Sequence, residues 1–349
     1  MSSPSSAATV EVAALLQLSF DRVPSARTVE VGVPAGMGAI ELPGARTRPV
    51  RPHLEASVSA AGIAARVVDG DGVAAPVIVL GDGAVVPVAA PPVAVAARAD
   101  GAWVLYRDRL VEVGRDGSER RRIAASAVAM VPAGDAVWLA DNDRAWRIDA
   151  DGSAGAPQPW SHPMLSFAIG DELCARDAGD PSSVRCLAAE GARSRRPLPA
   201  VMVDATSVRI GARPWVIQAA GLEPSGRAFV VTVEGGEATI WRGAAGATAA
   251  AASSPVAAAL RVVRPGDGAI GAAAVDGDDV LLYSQGLALE QRGGAAAKPT
   301  EVDGARYTDE LFPRLWELAS ARGVVADGDG VVVSASGPTG MVLLRVRVP

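Results

Sequence analysis

The sequence predicts an all-β protein, and two observations carry that prediction. The first is a repeat: residues 101–118 read GAWVLYRDRLVEVGRDGS, and residues 136–153, thirty-five positions further on, read AVWLADNDRAWRIDADGS. The second is the pattern inside each copy, where short apolar runs alternate with Arg-Asp and Asp-Gly pairs that favour turns. Short strands joined by tight turns pair with their chain neighbours, so we expect antiparallel sheets.

The repeat unit predicts four short strands. In the first copy, residues 102–106, 110–113 and 118–124 form three of them, and the apolar run 93–97 precedes them as the fourth. Four-stranded units at periods of about 35 to 50 residues are typical of β-propeller blades, which stack radially because one sheet cannot bury both of its faces alone. Weaker copies extend this pattern and predict seven blades, with six or eight as alternatives. The expected starts are near residues 58, 91, 127, 164, 203, 262 and 322.

The order of features in AVWLADNDRAWRIDADG (residues 136–152) is an apolar strand, an Asp-rich turn, a second strand and a closing Asp-Gly pair. In this order the unit resembles the blades of the NHL and PQQ-like propeller superfamilies, and the resemblance extends over about residues 60–349. It implies a fold and no particular activity, because propellers host unrelated functions. The polar and cationic residues that would bind PQQ are not found in this sequence, so no cofactor is predicted.

Two segments fall outside the repeat pattern, which otherwise places the propeller in residues 58–349. Residues 1–57 contain strand-like runs separated by Pro and Gly, and we expect them to close the ring against the last blade or to form a small arm. Residues 305–323 (ARYTDELFPRLWELASARG) predict a helical insert, because leucines recur at helical spacing and a glycine ends the run. Phe312 and Trp316 lie four residues apart on this insert. The helix is expected to pack on the propeller or to present these aromatic side chains to a partner.

Charge and hydropathy exclude several classes of partner. The net charge of −6 and the isoelectric point near 5.2 argue against binding to nucleic acid or to an anionic membrane, which would require a basic surface. No apolar run is long enough to predict a membrane span. Because the N-terminus lacks a basic region and Glu11 interrupts its apolar patch, no secretory signal is predicted. We therefore expect a cytoplasmic location, with export by a leaderless route left open.

The chain has two cysteines, Cys174 and Cys186. Cys174 occupies the position that Trp138 holds in its own repeat, and Cys186 lies on the facing strand of the same hairpin. A disulfide is therefore geometrically possible. In a cytoplasmic protein two buried thiols are favoured over a disulfide.

Two arginine runs follow the Gly of a turn at the same place in two repeats, which predicts that both lie on the outermost strand of a blade. Charges on an edge strand discourage edge-to-edge aggregation. The functional alternative is a rim patch that recognises an acidic partner, because guanidinium groups suit carboxylates or phosphates. The residues are Arg120, Arg121 and Arg122 in one run and Arg193, Arg195 and Arg196 in the other.

Motifs for catalysis or metal binding are weak. His53 and His162 lie beside prolines, and no G-x-S-x-G, H-E-x-x-H or Walker A sequence accompanies them. Residues 266–271 match G-x-G-x-x-G, but the apolar strand that follows predicts a turn rather than a dinucleotide site. The Asp-Gly-Asp clusters, which begin at Asp69, Asp276 and Asp327, offer too few carboxylates for calcium and are expected to be turns. No catalytic, cofactor-binding or metal-binding residue is therefore predicted.

These observations favour a non-enzymatic interaction or structural subunit of a larger assembly, with other protein subunits as partners. The two arginine runs and the aromatic residues Phe312 and Trp316 are the candidate binding residues. One alternative is a hydrolase or lyase that uses acidic loops and a divalent cation. The other is a propeller that binds a carbohydrate or small ligand, which an aromatic content of 4% disfavours.

Overall fold

Antiparallel strands joined by tight turns make up nearly all of the regular structure in the computed structural model of this chain. The structure describes residues 10–33, 36–37, 40–41, 46–161, 165–180, 182–199, 201–203, 208–210, 213–234, 237–243, 260–263, 270–277, 279–284, 287–291, 298–301, 320–337 and 339–347.

The N-terminal segment supplies one long strand, a single 3-10 turn and four shorter strands. Strand β2 pairs with β5, and β3 pairs with β4. The bounds are β1 (Glu11–Ser19), the 3-10 turn (Phe20–Arg22), β2 (Val29–Val33), β3 (Gly36–Met37), β4 (Ile40–Glu41) and β5 (Arg46–Val50).

Four successive four-stranded sheets follow, and we call them blades 1 to 4. Blade 1 contains β6 (His53–Ser59), β7 (Gly62–Val68), β8 (Ala74–Leu80) and β9 (Val85–Pro87). Blade 2 contains β10 (Ala94–Arg98), β11 (Gly101–Leu105), β12 (Arg109–Gly114) and β13 (Glu119–Ala124). Blade 3 contains β14 (Ala129–Ala133), β15 (Ala136–Ala140), β16 (Arg144–Ile148) and β17 (Gln158–Pro159). Blade 4 contains β18 (Phe167–Ile169), β19 (Glu172–Arg176), β20 (Ser183–Leu187) and β21 (Arg193–Pro197).

The described residues from Val201 onward, together with β1, form blades 5 to 7, of which blade 5 has six strands and the others four. Blade 5 contains β22 (Val201–Val203), β23 (Val208–Ile210), β24 (Arg213–Leu222), β25 (Ala228–Glu234), β26 (Glu237–Arg242) and β27 (Leu260–Val263). Blade 6 contains β28 (Ile270–Asp276), β29 (Asp279–Ser284), β30 (Leu287–Gln291) and β31 (Lys298–Glu301). Blade 7 contains β32 (Ser320–Asp327), β33 (Gly330–Ser336) and β34 (Gly340–Arg347), together with β1.

The protein is a β-propeller with seven blades in its described residues. Within each blade the strands pair in chain order, as blade hairpins do, and the last blade is completed by the first strand of the chain. Strand β1 runs antiparallel to β34, from the pair Glu11 and Arg347 to the pair Ser19 and Gly340. Strand β6 contacts β32 and β33, so blade 7 packs against blade 1. Part of the N-terminal segment thus joins the two ends of the repeat array.

The hydrophobic core lies in layers between neighbouring blades. Trp103, from β11, is fully buried in the layer between blades 2 and 3 together with Leu139. Trp138, one repeat later, is buried between blades 3 and 4 together with Leu173 and Leu187. The tryptophan of the repeat is therefore a core residue, because it fills the space between one sheet and the next.

Blade 5 packs between blades 7 and 6. Alternate residues on its central strands point to opposite faces, as the pleat of a β-sheet requires. Ala220 and Val230 face a cluster that contains β33 and β34 of blade 7. Phe229 and Val231 face a cluster formed with β28 and β29 of blade 6. Both faces of blade 5 are apolar, which is why it is sandwiched between two other sheets.

Polar contacts repeat at the blade junctions. In three cases a side chain of one blade donates a hydrogen bond to a carbonyl in the first turn of the following blade. Arg98 Nη1 donates to Asp135 O at 3.2 Å, and Trp138 Nε1 donates to Asp171 O at 2.9 Å. Arg242 donates to Gly277 O in the same way. These bonds satisfy turn carbonyls and fix each blade against the next.

The seven-blade all-β architecture confirms the prediction made from the repeat, and three details differ. The strand His53–Ser59 crosses the boundary expected between residues 57 and 58, so blade 1 begins at His53. The strand Leu260–Val263, expected near the start of blade 6, is the outermost strand of blade 5. The strand Ser320–Asp327 includes the last four residues of the predicted helix 305–323, which therefore cannot extend to Gly323. Its other residues lie outside the described part of the chain.

The contact between blades 5 and 6 can be tested at Phe229, which is 1% exposed. Replacing it in Phe229→Ala should lower the free energy of unfolding by about 3–5 kcal/mol, because a large buried side chain is lost and a cavity is left. Urea unfolding measures this change. Val73→Ala, at a side chain that is 55% exposed, is the control and should change stability by less than about 0.5 kcal/mol. Equal stabilities of the two variants would contradict the packing of blade 5 described above.

Candidate functional site

Both arginine runs lie on the outermost strand of a blade, where the repeat predicts them. Strand β13 is the edge of blade 2 and carries Arg120, Arg121 and Arg122. Strand β21 is the edge of blade 4, and all five of its residues are exposed. Equivalent positions in the repeat therefore place two basic strands on the outer edge of the propeller.

On blade 4, most of the arginines pair with carboxylates of the same sheet. Arg195 Nη2 lies 2.5 Å from Asp177 Oδ2, and Arg185 Nε lies 3.6 Å from Asp177 Oδ1. Arg196 Nη2 lies 2.6 Å from Glu172 Oε2. Arg193 instead donates a hydrogen bond to the carbonyl of Pro159 in blade 3, at 2.8 Å. Three guanidinium groups thus share two carboxylates and the fourth binds a carbonyl, which leaves the edge of blade 4 basic.

Asp177 is the buried carboxylate of this group, with only 5% of its surface exposed. The backbone N–H of Gly179 donates to it at 3.0 Å, and this bond is the main reason why the pKa of Asp177 lies below its ordinary value. The Arg195 guanidinium lowers the pKa of Asp177 further. Asp177 is therefore ionised at neutral pH and holds Arg195 along the edge strand.

On blade 2, each arginine of the edge lies beside a carboxylate. Arg121 Nε is 3.7 Å from Glu112 Oε2, and Arg122 Nη2 is 2.5 Å from Glu119 Oε2. Arg120 lies near Asp116 and helps to lower its pKa, although the hydroxyl of Ser118 is the main cause. The pairing of β12 with β13 also contains an irregularity at residues 112 and 113, whereas β21 pairs with β20 through five uninterrupted positions. The two edges therefore differ in regularity and in charge balance.

A cleft of about 370 Å³ opens beside β21, between blades 3 and 4. On the blade 3 side it is lined by Asp143, Pro159 and Trp160, and on the blade 4 side by Ala175, Arg185 and Arg193. The indole Nε1 of Trp160 donates to Ser166 Oγ at 2.9 Å, which fixes the ring against the start of blade 4. The cleft thus combines an aromatic wall with two guanidinium groups, a combination that suits a ligand carrying a carboxylate.

The aspartates of the turns form hydrogen bonds within their own loops. Asp116 Oδ1 accepts from the N–H and the hydroxyl of Ser118, and Asp151 Oδ1 accepts from the same groups of Ser153. Between each Asp and Ser lies a glycine with a positive φ, 81° at Gly117, which a residue with a Cβ adopts only with strain. These carboxylates stabilise turns, as expected from the sequence.

Carboxylates of the described Asp-Gly-Asp clusters also form contacts within the protein. Asp69 Oδ1 accepts from the N–H groups of Asp71 and Val73. Asp327 Oδ2 lies 2.5 Å from Arg345 Nε, and Asp329 Oδ1 lies 3.0 Å from Arg347 Nε. Their carboxylates are therefore used in turns and ion pairs.

A second group of charged residues lies on the first two strands of blade 1, β6 and β7. Arg66 Nε donates to Glu55 Oε2 at 2.8 Å, and Arg66 Nη1 donates to Pro92 O at 3.1 Å in the segment that leads into blade 2. The imidazole of His53 lies 3.7 Å from Glu55 Oε1. His53 and, after it, Arg66 lower the pKa of Glu55 to about 2 although burial opposes this shift. His53 is thus placed in an ion-pair network that joins two blades.

Cys174 and Cys186 face each other on β19 and β20 and form a disulfide, which is the alternative that the sequence analysis did not favour. Both residues are buried, at 0% and 1% exposure. The carboxylate of Glu172 lies within 4.8 Å of both sulfur atoms, a grouping that resembles a metal site. Because the two sulfurs are bonded to each other, neither provides a thiolate ligand.

Three of the residues singled out from the sequence, His162, Phe312 and Trp316, lie outside the described residues. Conversely, sequence reasoning missed Trp160 and Arg185. Trp160 follows the short strand β17 and has no aromatic counterpart in the other copy of the repeat. This departure from the repeat pattern is the one sequence feature that could have marked Trp160 as a candidate binding residue. Arg185 gave no signal, since it lies inside an ordinary strand of the repeat.

Solved structures with a related fold match this chain only distantly. A catalytically inactive variant of virginiamycin B lyase from Staphylococcus aureus, in complex with quinupristin, is 10% identical with a TM-score of 0.35, over 91% of this chain and 99% of that one. The WD40 domain of Pan2 from Neurospora crassa is 10% identical with a TM-score of 0.33, over 96% and 95%. Apo AztD from Citrobacter koseri is 12% identical with a TM-score of 0.28, over 94% and 89%.

No protein-family model matches the chain, and no curated protein matches it. At the low similarity given above, the solved structures carry no argument about activity, and the propeller fold follows from the sheets themselves. In the described part of the chain, no helix has the length and apolar character needed to span a bilayer.

The ion pairs of Glu55 predict a pH dependence of stability. Because folding lowers its pKa from 4.5 to about 2, ionised Glu55 stabilises the folded state fully above about pH 4.5, and this contribution is lost as the pH falls toward 2. Glu55→Gln lacks the contribution at every pH. The difference in unfolding free energy between the wild type and this variant, measured with urea, should therefore shrink between about pH 6 and pH 2. A difference that stays constant over this range would contradict the assigned shift.

The disulfide predicts the number of free thiols. Protein from its native host, unfolded without reductant, should show no reactive thiol, and two should appear after reduction, because Cys174 and Cys186 are bonded to each other. Titration with a thiol reagent measures both values. Two thiols before reduction would contradict the bond and support the cytoplasmic location expected from the sequence. Disulfides persist in oxidising compartments, so the opposite result would argue against that location.

Proposed function

We propose that this protein is a non-enzymatic interaction module that binds an acidic segment of a partner protein at the outer edge of blade 4. The observation that carries this proposal is the exposed basic strand β21 beside a cleft that contains Arg185 and Arg193. Guanidinium groups form paired hydrogen bonds with carboxylates, and an exposed cluster of them attracts acidic chains.

Blade 4 is a better candidate than blade 2 because its arginines are less neutralised. Arg193 donates to a carbonyl rather than to a carboxylate, and Arg185 and Arg195 share one aspartate. On blade 2 each arginine of the edge lies near a different carboxylate, although Glu112 also pairs with Arg98. An incoming carboxylate would therefore gain more from blade 4, where it can complete pairs that the protein leaves incomplete.

The other functions considered from the sequence stay predictions. A cation-dependent hydrolase or lyase would require free carboxylates, and Asp116, Asp151 and Asp69 are used in turn hydrogen bonds. A small-ligand propeller would use the cleft beside Trp160, which is within the size range of ligand pockets. The helix predicted around Phe312 and Trp316 would be a second, separate contact for a protein partner.

The test of this proposal compares the two basic edges. A fluorescein-labelled oligoglutamate peptide should bind the wild-type protein, measured by fluorescence anisotropy, and the binding should weaken as salt is added. The double variant Arg193→Glu with Arg195→Glu should weaken binding by about tenfold or more, because it replaces attraction by repulsion. The matched double variant Arg120→Glu with Arg122→Glu should bind nearly as the wild type does. Equal losses in both variants would contradict a specific site on blade 4.

A further inference from the structure

The backbone of β21 has hydrogen-bonding groups that its own sheet does not use. Two bonds flank the pairing of this strand with β20: Ala188 N donates to Ala192 O, and Leu198 N donates to Ser182 O. In an antiparallel pair, residues alternate between positions that point their N–H and C=O toward the neighbouring strand and positions that point them away. Counting from the two flanking bonds, Arg193 and Arg195 have their backbone groups directed outward. Pro197 is the next position of this set and carries no N–H.

The outer edges of the first four blades differ in how they can pair with another chain. Edge strands are commonly shortened, bulged or given prolines, which prevents unwanted pairing. The edge strands of blades 1 and 3, Val85–Pro87 and Gln158–Pro159, are very short and end in proline. The edge of blade 2 has the irregularity at residues 112 and 113. Strand β21 has five regularly paired, exposed residues, so it is the edge among these four that is best able to accept a further strand.

The charge of this edge selects what can pair with it. Arg193 and Arg195 lie on the face of blade 4 that faces blade 3, because they pair across β20 with Leu187, which packs against blade 3, and with Arg185, which lines the cleft. A second copy of the same edge would bring arginines against arginines and would be repelled. A strand with acidic residues at alternate positions would instead direct its carboxylates toward Arg193, Arg195 and Arg185.

We propose that an extended acidic segment of a partner protein adds to β21 as the fifth strand of blade 4 and inserts an acidic side chain into the cleft between blades 3 and 4. This proposal rests on the proposed function and specifies how the acidic segment binds to blade 4. Backbone hydrogen bonds to Arg193 and Arg195 give strand addition, the mode in which main-chain bonds provide affinity and alternate side chains provide specificity. The cleft, with Arg185 beside the indole of Trp160, receives the side chain on the inner face.

The experiment uses the full-length protein and a fluorescein-labelled peptide in which glutamate and threonine alternate. A peptide of the same sequence, N-methylated at alternate backbone nitrogens, keeps its charge but loses donors of the added strand. We expect it to bind about tenfold more weakly or worse, when each register of methylation is tested, because it loses more than one hydrogen bond. A lysine–threonine peptide is the charge control and should not bind.

Protein variants separate the contribution of backbone hydrogen bonds to binding from the contribution of arginine charge. Arg195→Gln and Arg195→Pro remove the same guanidinium group, but only the proline removes the outward N–H, as Pro197 already does at the next such position. The proline variant should bind the glutamate–threonine peptide about fivefold to tenfold more weakly than the glutamine variant. Arg185→Gln should weaken binding, and Arg122→Gln on blade 2 is its matched control and should not. Thermal unfolding of each variant verifies that it is folded.

The outcomes distinguish this inference from the proposed function. If the N-methylated peptides and the unmodified peptide bind equally, strand addition is overturned, while recognition of acidic chains at blade 4 stands. This readout uses the wild-type protein and does not depend on the folding of any variant. If Arg185→Gln binds as the wild type does, the insertion into the cleft is overturned. If the glutamate–threonine peptide does not bind but oligoglutamate does, strand addition is overturned and the proposed function stands; if neither peptide binds, both fail.

Discussion

Most sheets of this propeller have two apolar faces that must be covered, and many features of the structure depend on that requirement. Burial of apolar surface is the dominant stabilising contribution to folding, and one four-stranded sheet cannot achieve it alone. The two repeat tryptophans, Trp103 and Trp138, are buried between successive blades for this reason. The addition of β1 to blade 7 follows from the same requirement, since its apolar residues Val12, Leu16 and Leu18 join the cores on both sides of that blade.

When the faces are used for packing, the strand edges and the turns remain for contacts with other molecules. Many polar groups of the turns are already used within the protein. Several turn aspartates accept hydrogen bonds from the backbone of their own turn, and several turn carbonyls accept hydrogen bonds from side chains of the preceding blade. Among the edges of blades 1 to 4, proline, short length and a pairing irregularity limit three. The fourth, β21, is regular and basic. Among these four edges, the one best suited to pairing with another chain is therefore β21.

The repeat was enough to predict the strands of each blade but not which blades pack against each other. Blades 2 to 4 begin at Ala94, Ala129 and Phe167, close to the expected 91, 127 and 164, because hydrophobic alternation and turn residues are local signals. The location of blade 5 between blades 7 and 6 could not be read in this way. Apolar residues on both faces of blade 5, such as Val230 and Phe229, show that the blade must pack between two other sheets. They do not show which two sheets these are.

The same limit applies to the candidate site. Its arginines on β21 were found because the repeat places them on an edge strand, and position in a repeat is readable from sequence. The cleft was not found, because Trp160 and Arg185 are brought together by the packing of two blades. The cysteines illustrate a different limit: the hairpin placed them opposite each other, while the choice between a bond and two thiols was made from the expected compartment rather than from geometry.

The net negative charge of the chain affects how selectively the basic edge strand would attract an acidic partner. A protein with a net charge of −6 repels acidic chains on average, and this repulsion is long-ranged at low salt. At β21 the sign is reversed locally, and Asp177 and Glu172 hold two of the arginines in place without neutralising the whole strand. An acidic segment would thus be attracted to the basic edge strands, and to β21 in the proposed function. Repulsion between like charges contributes to specificity together with attraction between opposite charges, so the acidic composition of the chain is compatible with an acidic partner that binds at a basic edge.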